Sequence, residues 1–267
     1  MGTGALCLPS DFLDRLLNPG IPVASSPNVK LDSYLSYGHD DEKAQALNSA
    51  IVNNIGRDLP DKIGRSEYGF VFSGQGKYEN IQRVMNFIME NKQKFIDYKD
   101  GSGKKPFEKY FTGNNASNPI QAMVDDQMFG LDCIGFVGRY LEYAGLIRSY
   151  IRKVPKQYIT MGPFKAINSI KEIDALCALV WSDGSHIAII NMGIFPMDTY
   201  VCVQICQSTA GGPQLNRWTV IRSTSDSGDL GALFKVTIEQ PRIRFKCDTV
   251  YIGQIPGVRP PLPPLST

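Results

Sequence analysis

The chain has 267 residues, of which 43% are hydrophobic and 20% charged, and its formal net charge at pH 7 is +2. This balance is typical of a globular protein that is long enough for one or two domains with a real core. It does not favour nucleic-acid binding, which usually needs a strongly basic face, so we expect no nucleic-acid partner. No window of about 18 apolar residues occurs, so we expect no transmembrane segment.

The first 20 residues lack the basic, apolar and small-residue order of a standard signal peptide. Gly2 invites a myristoylation reading, but Leu6 stands where that motif has Ser or Thr. We therefore expect the chain to be made in the cytoplasm. Activity outside the cell would require export by a non-Sec route, or a leader removed before this sequence begins.

Residues 1–65 are polar and turn-rich, and we interpret them as a wrapping or loosely ordered extension with one helix at about 42–55. Residues 77–99 place apolar side chains at helical spacing and predict a helix with one buried face, which the sequence DGSGKKP ends. Asn118 before Pro119 predicts the start of another helix, which ends at Gly130.

Short apolar runs follow, each bounded by Gly, Pro, Ser or Asp, and they predict an antiparallel meander. Residues 175–181 and 186–195 are separated by an Asp-Gly turn, which predicts a hairpin. The later runs are residues 199–207 and the stretches RWTVIRS, ALFKVTIE and RIRFKCDTVYIGQ. Because helices precede strands, the sequence predicts an α+β fold. The proline-rich tail, residues 255–267, is predicted to be extended and loose, with docking into a proline-reading groove as the alternative.

The chain has six cysteines and two histidines. No CxxC motif occurs, and Cys202 and Cys206 lie four residues apart in a strand-like run, which is a poor metal pair. The sequence therefore predicts no metal site and no cofactor. Most of the cysteines are expected to be buried small hydrophobes.

The stretch GLDCIGFVGRYLEYAGL, residues 130–146, predicts a helix with Asp132 as N-cap, Cys133 in the first turn and Gly145 as C-cap. The helix N-terminus carries a partial positive charge and unpaired N–H groups, which stabilise a thiolate and can stabilise an oxyanion. Gly135 and Gly138 each cost up to about 1 kcal/mol against alanine, which fits another backbone packing close. The alternative is a buried cysteine at a helix start.

A base for such a thiolate is available in His186, which follows the hairpin turn and begins an apolar strand. The other histidine, His39, lies in a polar segment that is typical of a surface loop. We favour His186, and the alternative is a turn histidine in water.

A third residue should orient the imidazole. A hairpin turn near 196–197 places His186 opposite Gln207, whose amide oxygen can accept from a ring N–H. A two-residue register error would select Ile205 or Thr209, and Gln204 is the reserve candidate.

These residues together resemble the NlpC/P60 family of papain-like cysteine peptidases. The match to its first motif comprises Asp132, Cys133, Gly135 and Phe136, and Asp174, His186 and Gln207 follow in the family's order over about residues 107–225. The resemblance implies N-terminal helices packed on an antiparallel β-sheet, with a thiolate–imidazole pair at the junction. It also implies hydrolysis of peptide bonds in bacterial cell-wall stem peptides.

Two departures from the family pattern concern substrate recognition. Ile134 stands where the family has serine, in the edge that with Asp132 recognises the peptide's free amine. A family-like aromatic is expected upstream of the cysteine, and Tyr110 is the candidate. The resemblance thus implies substrate-binding roles for Asp132 and Tyr110, and catalytic roles for Cys133, His186 and Gln207.

We expect residues 1–100 to form a polar extension and helical segment, residues 101–254 the catalytic domain, and residues 255–267 the tail. The expected function is a cysteine amidase or endopeptidase acting on peptidoglycan stem peptides, as in a phage lysin or a secreted effector with a secretion or inhibitor partner. The alternatives are an acyltransferase or deamidase acting on a protein, and a catalytically silent binding or structural module.

Overall fold

A computed structural model describes residues 7–36, 41–52, 65–150, 153–196, 199–238 and 247–258. The described helices are α1 (Pro9–Leu17), α2 (Glu42–Ala50), α3 (Arg65–Val71), α4 (Tyr78–Glu90), α5 (Lys92–Asp97), α6 (Glu108–Phe111), α7 (Pro119–Asp125), α8 (Cys133–Tyr143) and α9 (Gln157–Thr160). The described strands are β1 (Lys165–Ala166), β2 (Ala178–Trp181), β3 (Ile187–Pro196), β4 (Tyr200–Thr209), β5 (Gly212–Gly228), β6 (Gly231–Ile238) and β7 (Cys247–Gln254).

The helix predicted over residues 77–99 divides at Asn91 into α4 and α5. Its predicted buried face is confirmed, because Ile81, Val84 and Ile88 are fully buried. The start of α7 is also as predicted: Pro119 takes the first helical position, and the Asn118 side chain accepts the Gln121 N–H at 3.3 Å.

The early part of the chain is more ordered than its polar composition indicates. Helix α1 was not predicted, although Phe12 and Leu16 lie four residues apart and are both buried. The Phe12 ring packs against Phe136 and Tyr140 of α8, with centroids 5.6 and 6.3 Å apart. Three buried apolar side chains in nine residues, Phe12, Leu13 and Leu16, suffice for a buried helical face despite the charged residues between them.

The strands form one antiparallel sheet in the order β1-β7-β2-β3-β4-β5-β6, and an additional pairing between β6 and β7 closes six of them into a barrel. In the closing ladder, Phe234 pairs with Val250 and Val236 with Asp248. Strand β1 adds outside the barrel, on β7.

The predicted architecture, N-terminal helices packed on a papain-like antiparallel sheet, is therefore wrong. Five of the six barrel strands follow one another as a meander, as the sequence predicted, but β7 returns to pair with both β6 and β2. These pairings join residues far apart in sequence, such as Leu179 with Ile252, and turn signals do not reveal them.

Alternate side chains along the six strands fill the barrel. The buried cluster contains residues two apart on every strand, as an inward-facing set requires. Its members on the strands are Leu179 and Trp181, Ala188 and Ile190, Val201, Val203 and Ile205, Trp218 and Val220, Phe234 and Val236, and Val250 and Ile252.

The chain divides into two compact units. The first contains residues up to Leu13, Phe136–Gln207 and the chain from Gln214 onward, and therefore holds most of the barrel. The second contains Asp14–Gly135 and Ser208–Pro213, and therefore helices α2 to α7. The predicted domain boundaries stay predictions. In the part of the chain that the structure describes, no helix has the length and apolar character needed to cross a membrane.

Candidate functional site

Cys133 opens helix α8, in the second unit, and is 4% exposed. The predicted cap is confirmed: the carboxylate of Asp132 accepts the N–H of Gly135 through Oδ1. Its other oxygen, Oδ2, accepts a hydrogen bond from Gln75 Nε2 at 2.9 Å, and the side chains of Asp132 and Gln75 are both buried. The first turn of α8 is thus fixed by a carboxylate that is itself held by a buried amide.

A tight turn at Gly74 packs against the start of α8. Gly74 has φ +75°, a left-handed conformation that favours glycine. Its carbonyl accepts the Asp132 N–H at 2.8 Å, and a Cβ added to Gly135 would lie 2.1 Å from the same oxygen. The backbone approach predicted at Gly135 is therefore confirmed.

Gly138 has a different reason for lacking a side chain. A Cβ there would lie 2.2 Å from a ring carbon of Tyr150 and 2.5 Å from the Tyr158 hydroxyl, both in the first unit. The neighbour that excludes a side chain is thus a pair of tyrosines, and the prediction of a second backbone at this position is wrong.

Within the second unit, Tyr34, which the sequence did not single out, lies close enough to Cys133 for a charge on the sulfur to act on its hydroxyl. Burial raises the pKa of its hydroxyl, and the charge of an ionised Cys133 raises it further, while a hydrogen bond with Ser36 acts in the opposite direction. The Tyr34 hydroxyl therefore stays protonated near neutral pH. No motif marks it, because it lies nearly a hundred residues before the cysteine.

The turn before His186, in the first unit, has the predicted hairpin chemistry. Gly184 has φ +77°, and Asp183 Oδ1 accepts the Ser185 N–H at 2.9 Å. The Trp181 N–H donates to the His186 carbonyl at 3.1 Å, which closes the β2–β3 hairpin. His186 is therefore placed at one end of the barrel, in line with the inward-facing positions of β3.

His186 and Gln207 are brought together as predicted, with His186 Nε2 2.8 Å from Gln207 Oε1. The predicted register is nevertheless wrong by two residues, because Ile189 pairs with Cys206 and the direct partner of Gln207 is therefore Ala188. Two irregularities in β3 shift the pairing between the turn and this end of the hairpin. A shift of two keeps each side chain on its face, and the contact forms along a diagonal.

The other candidate residues lie elsewhere. Gln204, the reserve, accepts from Asn191 Nδ2 at 3.4 Å, and Asn191 also accepts the Ser10 N–H at 2.8 Å. Asp174 precedes β2, where its Oδ1 accepts the Ala175 N–H at 2.7 Å. His39 lies outside the described residues.

Two further residues belong to this site, one at His186 and one at Gln207, and the sequence did not mark either. The Trp181 ring lies edge to face with the His186 ring, with centroids 4.6 Å apart, and its Nε1 donates to Asp248 at 3.1 Å. Asn216, on β5, accepts Gln207 Nε2 through Oδ1 at 2.8 Å. His186, Gln207 and Asn216 thus form a continuous polar chain at one end of the barrel.

Tyr110, the predicted substrate-binding aromatic, is 1% exposed and donates its hydroxyl to Asp126 Oδ2 at 2.5 Å. Lys43 and Lys109 also donate to Asp126, at 2.9 and 2.6 Å. Burial and the bond to Asp126 raise the pKa of Tyr110. Its hydroxyl therefore joins α6 to the end of α7, and its role in substrate binding stays a prediction.

The structure brings His186 and Gln207 together in the first unit and joins Asp132 to the start of α8 in the second. Cys133 and His186 belong to different units, and their contact stays a prediction. No group of three or more His, Cys, Asp or Glu within the described ranges could hold a metal ion. Comparison with known proteins found no matching family model, no matching curated protein and no matching solved structure.

Proposed function

We propose that the chain is a cysteine hydrolase that cleaves amide bonds, with Cys133 as nucleophile, His186 as base and Gln207 as the residue that orients the base. The observation that carries the proposal is the 2.8 Å contact between His186 Nε2 and Gln207 Oε1. A glutamine oxygen only accepts, so Nε2 bears the proton in the neutral ring and Nδ1 carries the lone pair that takes a proton from the nucleophile. The proposal requires the Cys133 sulfur to come within reach of Nδ1.

The start of α8 supports the nucleophile's role. The Cys133 thiolate attacks the substrate carbonyl carbon, and N–H groups of the first helical turn stabilise the oxyanion that forms. The His186 imidazolium then gives its Nδ1 proton to the leaving amine, which leaves a thioester on Cys133. A water molecule, deprotonated by His186, hydrolyses the thioester and returns the thiolate.

A peptidoglycan stem peptide is the substrate that the family resemblance favours. The resemblance is carried by the order of Asp132, Cys133, His186 and Gln207 along the chain. It does not extend to the architecture, since the strands close into a barrel.

A second candidate is deamidation or acyl transfer at a protein glutamine. Both oxygens of Asp132 already accept hydrogen bonds within the chain, and the residue is 5% exposed. A carboxylate engaged in this way is poorly placed to bind a substrate's free amine, which favours an acceptor amide that has none beside it. The chemistry at Cys133 and His186 is the same up to the thioester.

The test is mass spectrometry of purified peptidoglycan after incubation with the unsubstituted chain and with Cys133→Ala. We expect new free amino and carboxyl termini within the stem peptides, which the Cys133→Ala variant fails to produce. Cys202→Ala is the matched control, because Cys202 is a partly buried thiol whose Sγ lies 3.8 Å from the Thr219 hydroxyl.

A parallel incubation with glutamine-containing protein substrates separates the two candidates. If ammonia is released in a Cys133-dependent way while the stem peptides stay intact, the deamidase is supported and peptidoglycan hydrolysis is contradicted. Activity that survives Cys133→Ala would contradict both.

A further inference from the structure

We propose that Asn216 is a positioning residue that selects the proton-bearing nitrogen of His186 by fixing the amide of Gln207. The inference rests on the proposed function only in treating His186 as the base. It follows from two consecutive hydrogen bonds in the first unit, from His186 to Gln207 and from Gln207 to Asn216, each 2.8 Å long.

A primary amide has two unlike ends, so its orientation decides what it offers to each neighbour. Asn216 presents its oxygen, Oδ1, to Gln207, and only the NH₂ end of Gln207 can satisfy it. The oxygen end of Gln207 must then face His186. With Asn216 in this orientation, rotating the Gln207 amide by half a turn would place two acceptor oxygens against each other and lose a hydrogen bond.

The orientation of Gln207 in turn selects the tautomer of His186. With Oε1 facing it, Nε2 must carry the proton, and Nδ1 keeps the lone pair that accepts a proton. The flipped amide would offer an N–H to Nε2 and favour the tautomer protonated at Nδ1, which cannot act as a base through that atom. Asn216 therefore controls the tautomer of His186 through the amide of Gln207.

The positions of the three residues support a built network. Gln207 is 4% exposed, so its amide ends depend on protein partners. The three residues lie at the start of β3, the end of β4 and the start of β5, which meet at one end of the barrel. The Trp181 ring, 4.6 Å from the His186 ring by centroids, restricts the imidazole on another side.

The test reads the His186 tautomer directly, by ¹⁵N NMR of the full chain labelled at histidine. The chain has two histidines, so the His39→Gln variant assigns the signals of His186. At a pH where the ring is neutral, we expect protonation at Nε2 in the unsubstituted chain. Asn216→Asp should keep this state, because a carboxylate also accepts from Gln207, whereas Asn216→Leu should raise the share of rings protonated at Nδ1.

A background variant separates orientation from general damage to the barrel end. Gln207→Glu replaces the amide by a carboxylate with two equivalent oxygens, which needs no orientation. In that background we expect Asn216→Leu to leave the tautomer unchanged. The proposal is overturned if Asn216→Leu does not alter the tautomer in the otherwise unsubstituted chain, or if it alters it equally in both backgrounds.

This readout needs no substrate. An inactive chain with the expected tautomers would refute the proposed function and leave the role of Asn216 standing. An active chain in which Asn216→Leu leaves the His186 tautomer unchanged would support the proposed function and refute the role of Asn216.

Discussion

The amide of Gln207 links two polar groups at the end of the barrel. It accepts from His186 through its oxygen and donates to Asn216 through its nitrogen, both at 2.8 Å. Gln207 is neutral, so it orients the imidazole but adds no charge to stabilise the imidazolium. Its contribution to turnover should therefore be smaller than that of Cys133 or His186.

Replacing Gln207 by alanine should lower turnover without abolishing it. General acid–base groups contribute about 10²- to 10⁴-fold, and we expect a loss at or below the low end for an orienting neutral residue. Steady-state kinetics on a confirmed substrate measures it. Gln204→Ala is the matched control, since Gln204 bonds Asn191 at 3.4 Å and should leave kcat almost unchanged. A larger loss in Gln204→Ala than in Gln207→Ala would contradict the assignment.

The contact between His186 and Gln207 was predictable from sequence because a strand alternates its faces. An error of two residues in register moves the partner along the strand and leaves it on the same face. Tyr34 and Asn216 were not predictable in this way. Tyr34 lies far from Cys133 in sequence. The position of Asn216 depends on how its strand, β5, pairs with β4.

At the scale of elements, α8 depends on glycine at two positions for two reasons. Gly135 faces the Gly74 carbonyl, and Gly138 faces the side chains of Tyr150 and Tyr158. Both glycines are unfavourable for the helix by themselves. The packing that they permit outweighs this cost.

Gly138→Ala should destabilise the protein, because the new methyl group would lie 2.2 Å from a ring carbon of Tyr150. Overpacking of this kind typically costs about 1–3 kcal/mol in the free energy of unfolding. Gly69→Ala is the control, because Gly69 lies in α3 and, apart from its chain neighbours and the backbone of its own helix, nothing in the described residues lies within 4 Å of the added Cβ. We expect that change to stabilise by up to about 1 kcal/mol. Urea unfolding measures both, and equal effects would contradict the packing account.

The junction between α6 and α7 should depend on pH through Asp126. Burial acts to raise the pKa of this carboxyl, but hydrogen bonds from Lys109, Tyr110 and Lys43 outweigh it and lower the pKa well below its usual range. Since the unfolded chain binds the proton more readily, the stabilisation is present at neutral pH. It is lost as the pH falls below about 4, the ordinary pKa of an aspartate, towards the lowered pKa of the folded state.

Asp126→Asn should therefore lower the free energy of unfolding at pH 7 by about 1–2 kcal/mol. This is the size expected for weakening one hydrogen bond from a buried hydroxyl and losing two partly exposed ion pairs. The difference from the unsubstituted chain should shrink as the pH is lowered to about 3. Urea titrations at the two pH values measure it. A difference that grows on acidification would contradict the sign.

At the scale of the whole molecule, closure of the barrel changes the hydrogen bonding of β6, one of the two strands that close it. Strand β6 pairs with β5 on one side and β7 on the other, and Val236 pairs with both Val220 and Asp248. In an open meander, β6 would be an edge strand with half of its N–H groups exposed.

We therefore expect amide hydrogen exchange to be slow at consecutive residues of β6, including Phe234, Lys235 and Val236, because N–H groups that point to either side are bonded. NMR-detected exchange on the full chain measures it. Alternating fast and slow amides along β6 would show an open sheet. The amides on the outer edge of β1, which ends the strand order, serve as the exposed comparison.

The individual strands were predictable from apolar runs and turn residues, and the closed barrel was not. Each hairpin joins neighbouring segments, so local turn chemistry reveals it. The pairing of β7 with β2 joins Leu179 to Ile252, and that of β7 with β6 was not signalled by any special residue. Long-range pairing is decided by the summed burial of inward-facing side chains. The sequence pattern of each segment taken separately does not predict it.

The most direct test of the central claim, that Cys133 is a nucleophile activated by His186, is site-resolved alkylation by iodoacetamide, followed by mass spectrometry across a pH series. Near neutral pH, Cys133 should react faster than Cys7 and Cys177, because the start of α8 and the His186 imidazolium favour its thiolate, whereas the pKa of each of the other two thiols is raised to about 11, mainly by burial. His186→Ala should slow the alkylation of Cys133 and leave the rates of Cys7 and Cys177 unchanged. Gln204→Ala should leave all three rates unchanged. The account is contradicted if Cys133 reacts no faster than the other two, or if its rate is unchanged in His186→Ala.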